Sequence, residues 1–413
     1  MKHLLQKITL FALFFLIPSN LFKTFFQEFA YVRGLQVDYL LPKLHITDLL
    51  LILLVVLLVI AQKNKKTHLN KLKQFCKKHL VIIIAIAIFT LVQSSSQAGI
   101  LALLFILRIT VLGIVIMLLK QNKQLITAKL FINSIQITLI FQSLLAWYQY
   151  IAQKSLVGYH FFGETNLGAY AGIAKTSFFG AEKILPYGTT AHPNILAGVL
   201  LIFLLFYMNH IIRHKKIRVY QFLIIMLSVS ALLLTQSMSA SLGLLLGSIT
   251  LYYVHTQKIQ ISVQNMLQLL VASTVTVVVL LTLITQMYQN TSDSFTRRAY
   301  LNTAALEMFS SRLVSGVGLQ NFTLHVETYS DTQEIVRFVQ PVHSIFLLLL
   351  AETGLIGIIL TAALIRPILQ KKIKNPQYYV ALLPIAALDH YLLTIHSGIL
   401  LLGFVVLITQ IQD

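Results

Sequence analysis

Long apolar runs recur from one end of the chain to the other. They are about 15–24 residues long, the length that a helix needs to cross a bilayer. Continuous runs, rather than alternating apolar and polar positions, favour helices over a β-barrel. The predicted helices cover residues about 7–25, 44–62, 80–94, 99–119, 130–151, 194–212, 219–236, 239–255, 263–286, 343–365, 378–391 and 396–411. The pattern predicts an all-α integral membrane protein with about twelve transmembrane helices.

Basic residues lie mostly in the short connections between these runs. They concentrate at the N-terminus, at Lys258 and in 63–79, 120–129, 209–218 and 366–377. Positively charged loops stay on the cytoplasmic side of a membrane. We therefore predict a multi-pass protein of the cell membrane, with both termini cytoplasmic and with two extracytoplasmic loops at about 152–193 and 287–342.

Composition supports one membrane domain. Of 413 residues, 57% are hydrophobic and 11% are charged, and no polar segment is long enough for a separate domain, so 1–413 forms one unit. The residues that carry the net charge of +19 lie beside apolar helices, where they can interact with anionic membrane lipids. The charge therefore does not indicate a nucleic-acid partner. Cys76 is the only cysteine, which excludes an intrachain disulfide and a cysteine-based metal site.

The long second loop contains a helical pattern. In TRRAYLNTAALEMFSSR, apolar residues recur at roughly the helical period, and the run ends in Ser-Gly-Val-Gly at 315–318. The pattern predicts a short helix on the outer surface, with Arg297 and Arg298 at its start. Surface arginines are usually only solvated, so position alone does not assign them a function.

Two further segments place polar groups next to helix ends. KILPYGTTAHPNILAG at 183–198 ends in His-Pro-Asn where a helix begins, and Asn194 or Thr190 can cap that helix. QPVHSIFLLLLAETGLIG puts His343 at the outer mouth of the tenth helix. The simpler interpretation of both segments is helix initiation.

Two charged residues lie inside predicted membrane helices. Arg108 is near the middle of the fourth helix, and an unpaired guanidinium there costs at least a few kcal/mol. Glu352 lies at a similar depth, since each is about nine residues from the outer end of its helix. We predict that they pair or share a wet pocket. Alternatively, Arg108 binds backbone carbonyls or a diphosphate, and Glu352 caps backbone near Gly354.

The sequence lacks the residue patterns of several classes of binding site. The external loops contain no adjacent acidic pair and no His cluster at metal-binding spacing, which predicts that no metal is used. The sequence also has no P-loop and no dinucleotide fingerprint, and no cofactor is expected. An enzyme on the outer face has no access to cytoplasmic ATP, so its substrate must carry its own activation.

The order of these motifs resembles the O-antigen ligase family, which includes O-antigen polymerases and protein O-oligosaccharyltransferases. The resemblance covers most of the chain. Its elements are G-T-x-x-H-P-N-x-L-A at 188–197, R-x-x-x-x-x-A-A-L at 298–306, SGVGLQNF at 315–322, QPVHS at 340–344 and AETGLIG at 351–357. Each motif is weak alone, and their order and spacing carry the resemblance.

The resemblance implies a metal-independent membrane glycosyltransferase. It would move a glycan from a polyprenyl-diphosphate-linked donor to an extracytoplasmic lipid or glycan acceptor. Arg298 would hold the diphosphate bidentately, and His343 would act as the base that activates the acceptor hydroxyl. The candidate substrate-binding residues are Arg297, Lys183, His192, Asn194 and Arg337.

The chain departs from the family at three positions. Leu185 and Met238 stand where many relatives have Arg, and Ser344 stands where they have Asn. Lys183 and Arg297 could replace the missing cations, although Lys lacks the geometry of Arg. Two alternatives therefore stay open: a catalytically weakened relative that binds a lipid-linked glycan or scaffolds an assembly, and a transporter or lipid flippase built around the intramembrane charges.

Overall fold

The computed structural model of the chain is mainly helical, as the sequence predicts. It describes residues 2–61, 77, 84–85, 88–89, 98–122, 125, 128–168, 172–176, 182–214, 217–257, 261–262, 293–330, 339–369, 372–373 and 375–411. Two predicted helices, 80–94 and 263–286, lie almost wholly outside the described residues, and Cys76 and Arg337 lie outside them as well.

Most of the described residues belong to α-helices. Their bounds are α1 (Lys2–Phe15), α2 (Ile46–Ile60), α3 (Gly99–Gln121), α4 (Ala128–Ala152), α5 (Pro193–His214), α6 (Val219–Leu234), α7 (Met238–Gln257), α8 (Asp293–Ser311), α9 (Phe322–His325), α10 (Ile345–Leu369), α11 (Gln377–Leu388), α12 (Tyr391–Thr394) and α13 (His396–Ile411). The other predicted helices each coincide with one of these.

Among the described helices, four are long and apolar enough to cross a membrane by length and composition. They are α3, α5, α7 and α10. Shorter apolar helices of 10–17 residues are α1, α2, α6, α11 and α13. Together they support a membrane protein, while the number of spans and the orientation of the chain stay predictions.

The first helix is shorter than its predicted range of 7–25. It ends at Phe15, and residues Phe22–Thr24 form a strand, β1. Pro18 explains the early end, because proline has no N–H and its ring clashes with the carbonyl four residues earlier in a helix. The segment from Pro18 to α2 then contacts the residues after α4, where Ser19 Oγ donates to the carbonyl of Phe162 at 2.7 Å.

The strands are short and pair in two-stranded antiparallel ribbons. Their bounds are β1 (Phe22–Thr24), β2 (Tyr31–Val32), β3 (Leu35–Gln36), β4 (Lys43–His45), β5 (Lys175–Thr176), β6 (Lys183–Ile184), β7 (Ile261–Ser262) and β8 (Lys372–Ile373). β1 pairs with β4, and this ribbon connects α1 to α2. β5 pairs with β6, which forms the first two residues of the 183–198 segment.

Helix α5 lies at the centre of the bundle. It contacts α4, α6, α7, α11 and α13, and its apolar side chains from Ile195 to Phe206 are buried. A helix that is apolar on every side is typical of the middle of a bundle. The start of α5, with His192 and Asn194 beside it, therefore lies at one end of the central helix of the bundle.

The helix predicted to start at Arg297 and Arg298 is present as α8, which begins earlier, at Asp293. Leu301, Ala304, Ala305 and Met308 on one face are buried and pack against α10 and the residues before it. Residues three or four positions apart share a helix face. Arg298 precedes Leu301 by three positions, so it lies on the same face of α8. This face is less covered near the start of the helix, and Arg298 is half-buried there.

The segment 313–318, called here the inserted segment, enters helix α10 at Gly354. Gly354 has φ 59° and ψ −162°, so the helix is interrupted there. In an uninterrupted helix, the amides of 355–356 would bond to the carbonyls of 351–352. The inserted segment supplies other partners for these groups. The amides of Leu355 and Ile356 donate to the carbonyls of Leu313 (2.9 Å) and Val314 (3.1 Å), and the carbonyls of Ala351 and Glu352 accept from the amides of Val317 (2.9 Å) and Gly318 (2.9 Å).

Only glycine fits at two positions of this insertion. A Cβ on Gly316, where φ is +66°, would lie 2.5 Å from the Glu352 carbonyl oxygen. A Cβ on Gly354 would lie 2.6 Å from the carbonyl oxygen of Val314. The close backbone approach fixes the end of α8 against α10, and so it holds Arg298 and His343 in one unit of structure.

Candidate active site

Polar side chains from four separate segments meet near the ends of α5, α8, α10 and α11. We call them the polar cluster and define it by His192, Arg298, His343, Asp389 and His390. Electrostatic interactions connect these groups: His192 and Arg298 both interact with His343 and with Asp389. Three of the members, His192, Arg298 and His343, were sequence candidates.

The segment before α5 is held by glutamines of α4. Gln149 Oε1 accepts hydrogen bonds from the amides of Tyr187 (2.9 Å) and Gly188 (2.7 Å). Gln142 donates to Thr189 Oγ1 at 2.7 Å and accepts from the Thr189 amide at 3.1 Å. These bonds fix the turn that carries His192 to the start of α5.

The predicted caps of α5 are replaced by His192. Its Nδ1 accepts a hydrogen bond from the Asn194 amide (3.2 Å), and its carbonyl accepts from the amide of Ile195 (3.0 Å). Thr190 instead lies within hydrogen-bond distance of the carbonyls of Tyr187 and His192. The Asn194 side chain is therefore free to point away from the helix end.

Asp389 is the carboxylate at the centre of the polar cluster. Its side chain is 5% exposed. Oδ2 accepts a hydrogen bond from Asn194 Nδ2 (2.8 Å), and Oδ1 accepts from the His390 amide (2.9 Å). Asp389 thus connects the start of α5 to the end of α11, and its charge favours the charged form of Arg298.

The three rings of His343, His390 and Tyr39 pack in series. The centroids of His343 and His390 are 5.1 Å apart at 71°, and those of His390 and Tyr39 are 5.5 Å apart at 78°. His390 Nδ1 also lies 2.7 Å from Thr394 Oγ1. These contacts fix the orientation of the His343 imidazole.

The environment of His343 keeps the ring neutral. Burial lowers its pKa well below the usual value, and His390, Arg298 and His192 lower it further. No described residue hydrogen-bonds its buried Nδ1. A neutral imidazole at pH 7 has a lone pair that can accept a proton.

Arg298 remains charged in its half-buried position. Burial lowers its pKa, but Asp389 opposes that effect, and the ordinary arginine pKa is so high that the guanidinium keeps its proton at neutral pH. Arg297 also lowers the pKa of His343, which places a second arginine near the ring. The cluster therefore combines fixed positive charge with a neutral imidazole.

The remaining candidates lie elsewhere. Lys183 is in β6, with its ammonium 5.0 Å from the centroid of the Tyr150 ring, and that contact does not direct it to the polar cluster. Arg337 lies outside the described residues. The clustered candidates are thus His192, Asn194, Arg297, Arg298 and His343.

The predicted pairing of Arg108 with Glu352 is wrong. Arg108 donates to Asp48, from Nε to Oδ1 at 3.2 Å and from Nη2 to Oδ2 at 3.0 Å. The same Nη2 donates to the carbonyl of Lys43 and to His45 Nδ1. The alternative that Arg108 binds backbone carbonyls is thus partly correct, and its charge partner is at the start of α2.

Glu352 has a local structural role. It is 4% exposed, and Oε1 accepts a hydrogen bond from the amide of Phe322 at 3.2 Å. The backbone of Gln320 also donates to its carboxylate. Glu352 therefore caps the backbone that follows the inserted segment.

One group in the described residues has the composition of a metal site, which sequence spacing did not reveal. His45, Asp48 and His396 have potential ligand atoms within 4.8 Å of one another. The arrangement fits a metal poorly, because the guanidinium of Arg108 already uses the lone pairs of Asp48 and of His45 Nδ1. His396 Nε2 is likewise 2.6 Å from Thr47 Oγ1.

Sequence reasoning missed Asp389 and His390. The predicted helix 378–391 ran through them, but α11 ends at Leu388 and Asp389 has extended backbone. A helix-breaking residue is absent there, so the apolar pattern gave no boundary. An acidic residue inside a predicted membrane helix was the signal that could have identified the site.

The three positions at which the chain differs from many relatives lie in different surroundings. Met238, at the start of α7, is 75% exposed, and Leu185 is half-buried with its amide bonded to the carbonyl of Ala174. Ser344 begins α10, where its carbonyl accepts from the amide of Leu348 at 2.9 Å. Ser344 is a favourable residue at a helix start.

Comparison with known proteins supports the resemblance drawn from the motifs. No curated protein matches the chain. Residues 222–362 match the family model described as O-Antigen ligase, a region that runs from α6 into α10 and includes Arg298, the inserted segment and His343. The motifs at 298–306, 315–322, 340–344 and 351–357 all lie inside this matched region, whereas the motif at 188–197 precedes it, so residues 222–362 are similar to the O-antigen ligase family.

Proposed function

We propose that the chain is a membrane glycosyltransferase that moves a glycan from a polyprenyl-diphosphate-linked donor to an extracytoplasmic acceptor without a metal. The observation that carries this proposal is the meeting of Arg298 and His343 in the polar cluster, within the part of the chain that matches the O-antigen ligase family. The match by itself supports glycan transfer in general terms.

The donor needs positive charge at its leaving group. As the bond between the anomeric carbon and the diphosphate oxygen breaks, the electron pair stays on the diphosphate. Arg298 supplies a bidentate guanidinium for that charge, and Arg297 is close enough to add to the field. No described residue accepts a hydrogen bond from Arg298, which leaves its donors for a ligand.

The acceptor needs a base. His343 takes the hydroxyl proton of the acceptor while the acceptor oxygen bonds to the anomeric carbon. Burial keeps the imidazole neutral in the free protein, so the lone pair is ready. A bound diphosphate would offset the charge of Arg298, which raises the pKa of His343 and makes it a stronger base in the donor complex.

The surrounding residues orient these groups. His390 packs against the His343 ring, and Asp389 accepts a hydrogen bond from Asn194. His192 is exposed at the edge of the cluster, so the site is open to substrate on that side. Neither reactant needs ATP, because cleavage of the bond between the anomeric carbon and the diphosphate provides the driving force.

A catalytically weakened relative is the second candidate. It is favoured by Leu185 and the exposed Met238, which leave two positions without the arginines of many relatives. Such a protein would bind the lipid-linked glycan through Arg298 but would not transfer it.

The test is depletion of the protein in its host, followed by analysis of membrane lipids. Accumulated lipid-linked glycan is expected, and purified protein in liposomes should then transfer that glycan to host acceptor in the presence of EDTA. Binding without transfer would favour the weakened relative. Unchanged lipid-linked glycan would contradict the transferase, and a purified protein that binds no lipid-linked glycan would contradict the weakened relative as well. Inhibition by EDTA that a divalent ion reverses would contradict the metal-free chemistry.

A further inference from the structure

A polar cavity of about 70 Å³ lies beside the polar cluster. It is enclosed by the segment between α1 and α2, the first turns of α3, Gln320 and the residues from 393 to 399. Tyr39 lines the cavity, and its ring also packs against His390. The cavity and the cluster therefore share one wall. The rings of Tyr39 and His390 would separate a ligand in the cavity from His343.

The charges of the cavity are internally compensated. Arg108 lines it but is bonded to Asp48, and Lys43 lines it with its ammonium 2.6 Å from Asp38 Oδ2. Both cations thus already have carboxylate partners. An anion would have to compete with those carboxylates, so the cavity favours a neutral ligand.

Three other lining groups have unused hydrogen-bonding capacity. No described residue hydrogen-bonds the side-chain amide of Asn20, the side-chain amide of Gln320 or the hydroxyl of Tyr39. Each of these groups both donates and accepts. A neutral molecule with several hydroxyl groups matches this set, and the Tyr39 ring adds an apolar surface for carbon-bound hydrogens.

The backbone around Gln320 is held in place. Its φ of 63° is unusual for a residue other than glycine, and the Glu352 carboxylate accepts hydrogen bonds from the backbone of Gln320 and of Phe322. A strained residue that the surroundings hold in one conformation is typical of a ligand site. Glu352 therefore fixes the direction in which Gln320 enters the cavity.

The size of the cavity suits one small ring. A volume of about 70 Å³ admits about five water molecules at roughly 10–15 Å³ each. In liquid water, these five molecules would occupy about 150 Å³. That space matches one monosaccharide unit.

We propose that this cavity is a subsite for a single neutral sugar ring, bound by Asn20, Tyr39 and Gln320. The identification of the ligand as a sugar rests on the proposed function, since a glycosyltransferase must hold a sugar of its donor or of its acceptor next to the base. The cavity would hold one such ring against Tyr39, whose other neighbour is the His390 ring that packs on His343, and its selectivity for neutral rings follows from the paired charges.

The experiment is saturation-transfer NMR on the purified, full-length protein in detergent. Methyl glycosides of glucose, galactose and N-acetylglucosamine serve as probes. At least one should bind, and Tyr39→Phe and Gln320→Ala should each weaken binding by about threefold to tenfold, the effect of one lost hydrogen bond. Tyr31→Phe and Gln36→Ala change the same residue types at exposed positions outside the cavity and should leave binding unchanged.

Two results would overturn the proposal: binding of none of the three glycosides, or equal binding by the Tyr39 and Gln320 variants and the unchanged protein. Since the assay measures binding alone, it succeeds or fails separately from transfer activity. Addition of lipid-linked glycan extracted from depleted cells then identifies the source of the ring. Displacement of the bound glycoside assigns the cavity to the donor, and persistence of the glycoside signal assigns it to the acceptor.

Discussion

The imidazole rings of His343 and His390 meet edge to face, with their centroids 5.1 Å apart. His390 comes from the chain between α11 and α12, whereas His343 precedes α10. The contact brings a residue outside the family match against the proposed base inside it. The geometry of the base therefore depends on parts of the chain that the family motifs do not contain.

Replacement of Arg298 or His343 by alanine should abolish glycan transfer. Loss of the charge at the leaving group should lower kcat by about 100-fold or more, and loss of the base by a similar factor. Rates would be measured with purified variants in liposomes, together with protein abundance. The matched controls are Arg33→Ala and His160→Ala, which change exposed residues of the same types. Full activity of either cluster variant would remove that residue from the mechanism.

Arg108 and Asp48 should behave as a coupled pair. Removing either partner leaves a buried charge without compensation, which typically costs about 3–5 kcal/mol. Arg108→Leu and Asp48→Leu should each lower the thermal unfolding midpoint in detergent, and the double variant should lose less than the sum. Arg108→Leu combined with Glu352→Leu provides the comparison, because those two effects should add. Additivity in the first pair would show that the ion pair contributes nothing to stability.

Acid should destabilise the protein through its buried histidines. Burial lowers the pKa of His390 to about 4 and that of His343 well below 6.5. The unfolded chain therefore binds more protons than the folded protein below pH 6.5, so the free energy of unfolding falls as pH drops from 6.5 towards 4. For His390 alone, the full shift corresponds to roughly 3 kcal/mol.

The measurement for this prediction is the unfolding midpoint in detergent between pH 7.5 and pH 4.5. His390→Gln should flatten the fall in midpoint, while His160→Gln, at an exposed position, should reproduce the original curve. Parallel curves for the original protein and for His390→Gln would contradict the assignment of acid sensitivity to this ring.

Gly354→Ala should disrupt the junction between α8 and α10. The added methyl group would meet the backbone of the inserted segment, and the left-handed conformation adds about 1–2 kcal/mol. We expect a lower unfolding midpoint and loss of transfer. Gly113→Ala, in α3, has no neighbouring atom within 4 Å and should be neutral or slightly stabilising. Similar behaviour of the two variants would show that the junction tolerates a side chain.

Cys76 should face the cytoplasm. It is the only thiol of the chain and follows a lysine-rich segment, which positive charge retains on the inner side. A membrane-impermeant maleimide should label it poorly in intact cells and well in permeabilised cells. Strong labelling of intact cells would reverse the orientation and place the polar cluster on the inner face.

The apolar pattern was a good guide to the helices and a poor guide to their contacts. Depth along a helix gave the same level for Arg108 and Glu352, but depth says nothing about the direction in which a side chain points. Helix α3 packs against α2 and α13, so its arginine meets Asp48 rather than a residue of α10. One sequence without tertiary contacts cannot supply that direction.

The candidate site was predictable where motifs carried it. His192, Arg298 and His343 came from the order of family motifs, since no local pattern relates residues so far apart in the chain. Asp389 and His390 were missed because the apolar residues around them continue without a break. Their role depends on the interruption between α11 and α12, which only the fold reveals.

The interruption of α10 at Gly354 also constrains the order in which the protein assembles. In lipid, the amides of 355–356 and the carbonyls of 351–352 cannot stay unpaired, because no water is present to replace the missing partners. Before the inserted segment arrives, α10 must therefore satisfy these groups within itself, as an ordinary continuous helix. Its break is then an event of late maturation, coupled to the docking of α8. A chain arrested before that event would leave the arginine of α8 and the histidine before α10 unaligned.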